Sequence, residues 1–187
     1  MRIISGNFKR KKILNPKNKL TRPLKDSTKE SIFNILMHSN KLNVNISNSA
    51  ILDLFSGVGS FGLECISRGA SSITFVENYD EVLPILKKNI ISFNCPDKFI
   101  VMEKDIFSKL NFDNFDKKFN IIFIDPPFKE ERLNLLMNKI IKSNILNKNG
   151  IIIIHRHKSE KDSFPNKFKI IQEKIYGLSK IIFGKYN

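Results

Sequence analysis

The sequence predicts an α/β protein: a mostly parallel sheet with helices on both faces, finished by an antiparallel hairpin. Three observations carry this reading. Five strand-like runs recur between residues 50 and 156, with helix-patterned segments between most of them. The runs are largely apolar rather than alternating, as strands buried on both faces are. Near the end, FKIIQEKIYG and SKIIFGKY follow one another around a short turn with no helix between them.

Each element follows from local chemistry. The first 25 residues mix short apolar pieces, RIISG and KKIL, with basic side chains, which predicts a small hairpin or an extended arm rather than a core element. Ser27 and Glu30 then stand at capping-box spacing. Ile32, Phe33, Leu36 and Met37 recur at helical spacing, so a helix is expected over about 27–38, packed on the main body. The polar stretch SNKLNVNISNS links this extension (1–45) to a catalytic domain (46–187). Strands are expected at 50–55, 72–77, 98–103, 119–125 and 150–156. Helices are expected at 60–68, about 80–93 and 130–142, with a weak turn near 106–110. Gly69 is placed to end the first helix of this series. Pro84 must lie in the opening turns of the second, because deeper in it would kink the helix.

A chain of 187 residues suits one globular domain with a proper core. It has no run of about 18 apolar residues to span a membrane. MRIISGNFKRKK carries charge where an export signal needs an apolar stretch, so a cytoplasmic location is expected. Cys65 and Cys95 match no metal or redox spacing and read as reduced, packed thiols. The formal net charge is +14, and Arg2, Lys9, Arg10, Lys11, Lys12 and Arg22 all precede the first acid, Asp26. Such clustering predicts a nucleic-acid partner, since lysine and arginine gain affinity by displacing phosphate counterions.

In an open sheet of this kind, ligands bind beyond the carboxyl ends of the strands. One rim therefore collects Asp53, Phe55, Gly57 and Gly59, then Glu77, then Asp105, then Asp125, Pro126, Pro127 and Phe128. Gly57 to Gly62 spell G-x-G-x-x-G, and Glu77 follows Gly57 by twenty positions, as in dinucleotide sites. Asp53 changes that reading, because a carboxylate beside the glycine turn would repel a pyrophosphate. S-adenosylmethionine carries no phosphate. An acid can favour its ammonium, backbone N–H groups can take its carboxylate, and Gly57 and Gly59 permit close approach. Glu77 is then the acceptor for its ribose hydroxyls and Asp105 for its adenine 6-amino group.

IIFIDPPF, residues 121–128, is the most specific stretch. Two prolines remove two donors and stiffen the turn, leaving carbonyls unpaired and aimed at one spot. The Asp125 carboxylate and Pro126 carbonyl can accept the hydrogens of an exocyclic nucleobase amine and turn its lone pair toward an electrophile. Phe128 offers a stacking face worth about 1–3 kcal/mol. His155 and His157 are expected on opposite faces of a strand end, with no third ligand, so no metal is predicted. No Ser-His-Asp or Cys-His arrangement has sequence support.

MRIISGNFKRKKI, TRPLKDSTKESIFNIL, ILDLFSGVGSFGLECISRGA, FVE, IIFIDPPF and YGLSKIIFGKY resemble, in matching order and nearly end to end, the RsmD-type ribosomal RNA methyltransferases. The resemblance implies a seven-stranded Rossmann-like class I methyltransferase sheet with an N-terminal hairpin and helix added. It implies S-adenosylmethionine-dependent methylation of a guanine 2-amino group in small-subunit (16S) ribosomal RNA, free or in the assembling 30S particle. A monomer is expected, with no metal and no membrane association. The resemblance gives Asp53, Gly57 and Gly59 to the cofactor, Glu77 to its ribose and Asp105 to its adenine. It gives Asp125, Pro126 and Phe128 to the target base, and puts Arg22 near the active-site mouth. Two departures stand out: Phe128 replaces a common tyrosine, and IIIIHRHK stands where a glutamate–histidine pair is more typical.

Three other readings compete. An adenine-N6 DNA methyltransferase, or another amino-methyltransferase, shares the Asp-Pro-Pro-aromatic loop, although DNA enzymes usually carry a separate recognition region. A nicotinamide oxidoreductase is opposed by Asp53. A non-catalytic RNA-binding assembly factor is opposed by retention of every acid on the rim.

Overall fold

The computed structural model describes residues 1–16 and 24–186, so Arg22 lies outside the described residues. The sheet has seven strands: β1 (Ala50–Leu54), β2 (Ser72–Glu77), β3 (Phe99–Glu103), β4 (Phe119–Ile124), β5 (Leu146–His157), β6 (Phe168–Tyr176) and β7 (Ser179–Tyr186). Their spatial order is β3-β2-β1-β4-β5-β7-β6. The first five pair in parallel, and β7 runs antiparallel to both β5 and β6. Strand order reverses at β1, which is flanked by β2 and β4, and there an open sheet forms its crevice. The expected hairpin is present, but its second strand slots inside its first.

Four helices cover the sheet: α1 (Asp26–His38), α2 (Ser60–Ser67), α3 (Leu83–Ile91) and α4 (Leu133–Lys142). Ile51, Ile73, Phe75, Ile121 and Phe123 pack on one face against α1, α2 and α3. Leu52, Leu54, Ile122 and Ile124 pack on the other against Leu136, Met137 and Ile140 of α4. Strands with helices on both sides have no solvent face, which is why they read as apolar runs. Pro84 falls in the first turn of α3, where its missing N–H costs nothing. Gly69 follows α2 with φ +95, a left-handed stop. Among the described residues no helix is long and apolar enough to cross a membrane.

The N-terminal segment differs from expectation in two ways. Arg2 bridges Lys12, so a small hairpin forms. It is nevertheless part of the core, with Ile3 and Ile13 buried in the same cluster as α1 and β1. Two inward residues separated by a turn give no periodicity to detect. The capping box is also absent. α1 begins at Asp26 and places Ser27 inside the helix, where its carbonyl accepts a bond from the Ser31 hydroxyl at 2.9 Å. Asp26 instead puts a negative charge in the first turn, which suits the helix dipole.

A buried ionic cluster holds this segment to α2. Lys29 and Glu64 are both fully buried, with Nζ 3.7 Å from Oε2. The Lys29 ammonium donates to the Arg2 carbonyl at 2.8 Å and the Ser60 hydroxyl at 3.2 Å. Glu64 accepts the Ile4 N–H at 2.8 Å, the Ser5 N–H at 3.0 Å and the Arg68 Nε–H at 2.8 Å. Burial pulls the Lys29 ammonium below its ordinary range, against the opposing pull of Glu64 and Asp26. Gly6 completes the joint. At φ +82 its Cα lies so near Ser67 that an added Cβ would sit 1.8 Å from the Ser67 carbonyl oxygen.

Candidate active site

Beyond the carboxyl ends of the parallel strands lies a cleft of about 590 Å³. It is lined by Asp53, Phe55 and Gly57, by Glu77, by Asp105, and by Asp125 through Phe128. The parallel topology brings these residues together because each follows its strand at the same end of the sheet. Of the predicted rim residues, Gly59 alone does not line it. With φ +84 it turns the chain into α2, and a Cβ there would lie 2.7 Å from Leu86.

Asp53 forms the floor. It is 1% exposed, and one oxygen accepts the Gly62 N–H at 3.0 Å. Burial pushes its carboxyl well above the ordinary range. The Gly62 N–H opposes this, and the Asp125 and Glu77 charges add to it. Glu77 braces the glycine turn, accepting the Gly57 N–H at 2.7 Å, the Asn78 N–H at 2.9 Å and the Tyr79 N–H at 3.0 Å. The Gly59 N–H goes to the Ser56 carbonyl. Both glycine N–H groups are thus engaged within the protein, and Gly57 serves by shape. A Cβ on it would meet nothing within 4 Å, so the backbone there opens on the cleft. Phe55 has φ +57, a conformation rare for a bulky side chain and costing on the order of 1–3 kcal/mol.

Asp53 yields a pH prediction with a definite sign. Without ligand, folded Asp53 keeps a proton that the unfolded chain has released. Stability therefore falls as pH rises from the ordinary carboxyl range to the raised folded value. Affinity for a cation bound at Asp53 runs the other way and rises over that window. Asp53→Asn is expected to flatten both slopes and to weaken cationic cofactor about 10- to 100-fold, the scale of a charge-assisted bond. Thermal melts and calorimetric titrations across pH check this. A full slope surviving in the variant would remove Asp53 from the site.

Asp105 is braced by its own loop: one oxygen accepts from the Phe107 N–H at 3.0 Å and from the Ser108 N–H and hydroxyl, each at 2.7 Å. These Ser108 bonds hold it below the usual carboxylate range. Its second oxygen meets the Asn78 amide at 3.3 Å. Phe107 extends this wall and carries the Arg132 guanidinium 3.7 Å from its ring centroid. Phe107 stands two residues past Asp105, within reach of the same strand-end rule, whereas Arg132 was not legible in advance because it arrives at the start of α4, twenty-five residues later in the chain.

The Asp125 loop brings the largest corrections. Asp125 Oδ1 is 2.7 Å from His155 Nδ1, and His155 Nε2 is 2.9 Å from the Ser179 hydroxyl. A Ser-His-Asp chain therefore exists where none had sequence support. Its members come from the loop just after β4, from β5 and from β7, so no local motif could spell it. His155 and His157 do not face opposite ways: residues two apart on a strand share a face, and both rings lie edge-on to Phe128, at 6.2 and 5.3 Å. Nor are all the loop carbonyls unpaired. The Pro127 carbonyl accepts the Glu130 N–H at 2.9 Å and Arg156 Nη1 at 3.2 Å. Arg156 is 2% exposed and also donates to the Glu130 carbonyl at 3.0 Å and to Asp162 at 2.9 Å. It clamps the loop from behind.

The basic residues lie elsewhere. Arg2, Lys9, Arg10 and Lys12 are exposed, and the half-buried Lys11 lies 5.3 Å from the Phe93 ring centroid. The turn that carries Lys9 and Arg10 docks on Ser67, at the end of α2. Ser60, at its beginning, lines the cleft. Eight helical residues span about 12 Å, so these cations stand roughly a helix length from the mouth. Lys25 lines the cleft itself.

Five carboxylates, Asp53, Glu77, Asp105, Asp125 and Glu130, around a nucleoside-sized cleft suit a cationic ligand and disfavour a pyrophosphate. Fold and site together define a Rossmann-like methyltransferase architecture. The chain belongs to the family described as conserved hypothetical protein 95, whose model matches residues 1–185. It is 30% identical over 179 residues to ribosomal RNA small subunit methyltransferase D of Haemophilus influenzae, covering 95% of this chain and 90% of that one. The protein of the same name from Buchnera aphidicola subsp. Baizongia pistaciae is 34% identical over 160 residues, 83% of this chain and 76% of its own. The solved structure of yhhF from Escherichia coli matches with TM-score 0.82 and 26% identity, covering 100% of this chain and 97% of the other.

Proposed function

We propose that the protein transfers a methyl group from S-adenosylmethionine to the exocyclic 2-amino group of a guanine in small-subunit ribosomal RNA. One observation carries this reading: the buried cation-seeking acid Asp53 and the amine-accepting Asp125 loop line the same cleft. The names of the relatives supply the ribosomal RNA, and the resemblance of the sequence blocks supplies the guanine. Ribosomal RNA as substrate agrees with a cytoplasmic location. Residues 1–45 are the basic extension that holds phosphates, and 46–187 the transfer unit.

S-adenosylmethionine supplies an electrophilic methyl on a positively charged sulfur. The protein's work is to position and desolvate. Asp53 offsets positive charge at the floor, Glu77 and Asp105 face the sugar and base ends, and Gly57 leaves room. The lone pair of a guanine amine is delocalised into its ring. Asp125 therefore accepts one N–H hydrogen to favour the pyramidal, attacking nitrogen, and takes the proton released by transfer. Among the described residues nothing donates to the Pro126 carbonyl, which is placed to accept the other hydrogen. Phe128 stacks on the base.

Phe128→Ala is expected to raise the KM for RNA about 5- to 100-fold, the scale of one lost stacking contact, with cofactor affinity unchanged. Steady-state kinetics at saturating cofactor check it. The reading as a whole is tested by offering labelled cofactor to small subunits lacking the modification, to protein-free RNA and to duplex DNA, then mapping the methyl. Guanine N2 in RNA is the expected position; incorporation only into DNA adenine, or nowhere, would sink the proposal.

A further inference from the structure

The Ser179–His155–Asp125 chain has no place in the roles assigned above. It repeats the connectivity of a hydrolytic triad and all three members line the cleft, but the carboxylate belongs to the Asp-Pro-Pro-Phe loop and its side chain is more exposed there than that of His155. The carboxylate is thus the working end and the serine the support. His155 is 7% exposed and fixed on both nitrogens. A serine hydroxyl can donate to Nε2, which leaves Nδ1 as the protonated nitrogen, and an Nδ1–H can only donate to Asp125. With Oδ1 held in this way, Oδ2 is the oxygen left for a substrate. A free carboxylate can rotate and offer either oxygen in several directions; this one is held to one orientation.

We propose that His155 is a positioning residue for methyl transfer: through Nδ1–H it orients Asp125 toward the target amine, and Ser179 selects the tautomer that permits this. The assignment rests on the methyl-transfer reading.

His155→Ala and His155→Asn decide the matter. Alanine removes the donor, and kcat is expected to drop about 10- to 100-fold while cofactor Kd is unchanged, as for a lost bond to a charged group. Asparagine keeps an amide N–H near the Nδ1 position, so it should recover most of the rate. A merely structural histidine would show no such rescue of kcat at unchanged cofactor Kd. In nitrogen-detected NMR the wild-type imidazole is expected as the Nδ1–H tautomer. An Nε2–H tautomer, a His155→Asn rate no better than that of His155→Ala, or wild-type turnover in His155→Ala would each overturn the proposal alone. The Nδ1–H tautomer without transfer to any nucleic acid would instead overturn the methyl-transfer reading, and the role of His155 with it.

Discussion

Asp125→Ala is expected to lower methyl transfer about 10²- to 10³-fold while cofactor Kd stays within about threefold of wild type. The magnitude is that of losing one positioned proton acceptor from a site where charge develops. Asp125 is half-buried at the end of β4, its N–H bonds the Leu54 carbonyl at 3.3 Å, and its side chain makes no contact on which α2 or α3 depends. The variant should therefore fold. Asp125→Asn should lose nearly as much, because an amide turned with its nitrogen outward meets the target amine donor to donor. Single-turnover transfer with calorimetric cofactor binding separates the two effects. Turnover near wild type with cofactor bound would place the acceptor elsewhere.

The second large effect concerns stability. Glu64→Ala removes the carboxylate that compensates the fully buried Lys29 and satisfies the Ile4 and Ser5 N–H groups. A loss of about 3–5 kcal/mol in unfolding free energy is expected, because the remaining charge has no water to turn to. Urea denaturation measures this, and hydrogen exchange should show Ile4 and Ser5 opening first. The double variant Lys29→Met, Glu64→Leu should regain the part of the loss that comes from the unpaired ammonium, while the Ile4 and Ser5 N–H groups stay without their acceptor. The damage should reach the cleft too, because the Lys29 ammonium touches Ser60, which lines it.

The parallel strands and the rim were legible because their signal is local. An apolar run followed by a turn residue fixes both the strand and the end at which its acid emerges. Asp53, Glu77, Asp105 and Asp125 could be placed on one edge by that rule alone. What could not be read is what arrives from far along the chain. Ser179 reaches His155 across 24 residues, and His155 reaches Asp125 across 30. Arg132 reaches the third-strand loop only because α4 returns over that face. The N-terminal hairpin looked peripheral because its two buried isoleucines are ten positions apart. Ser27 looked like a helix cap because spacing cannot tell the second position of a helix from the cap that precedes it.

The insertion of β7 between β5 and β6 has a consequence during synthesis. β5 is made well before β7, and until β7 enters, its residues Ile152 to His157 present an open hydrogen-bonding edge. An unpaired, apolar edge beside a crowd of other nascent chains invites wrong pairing. β6 cannot shield it, since β6 touches the sheet only through β7. The same event that closes the edge delivers Ser179 to His155. The molecule thus acquires its finished cleft and a covered β5 edge in one step.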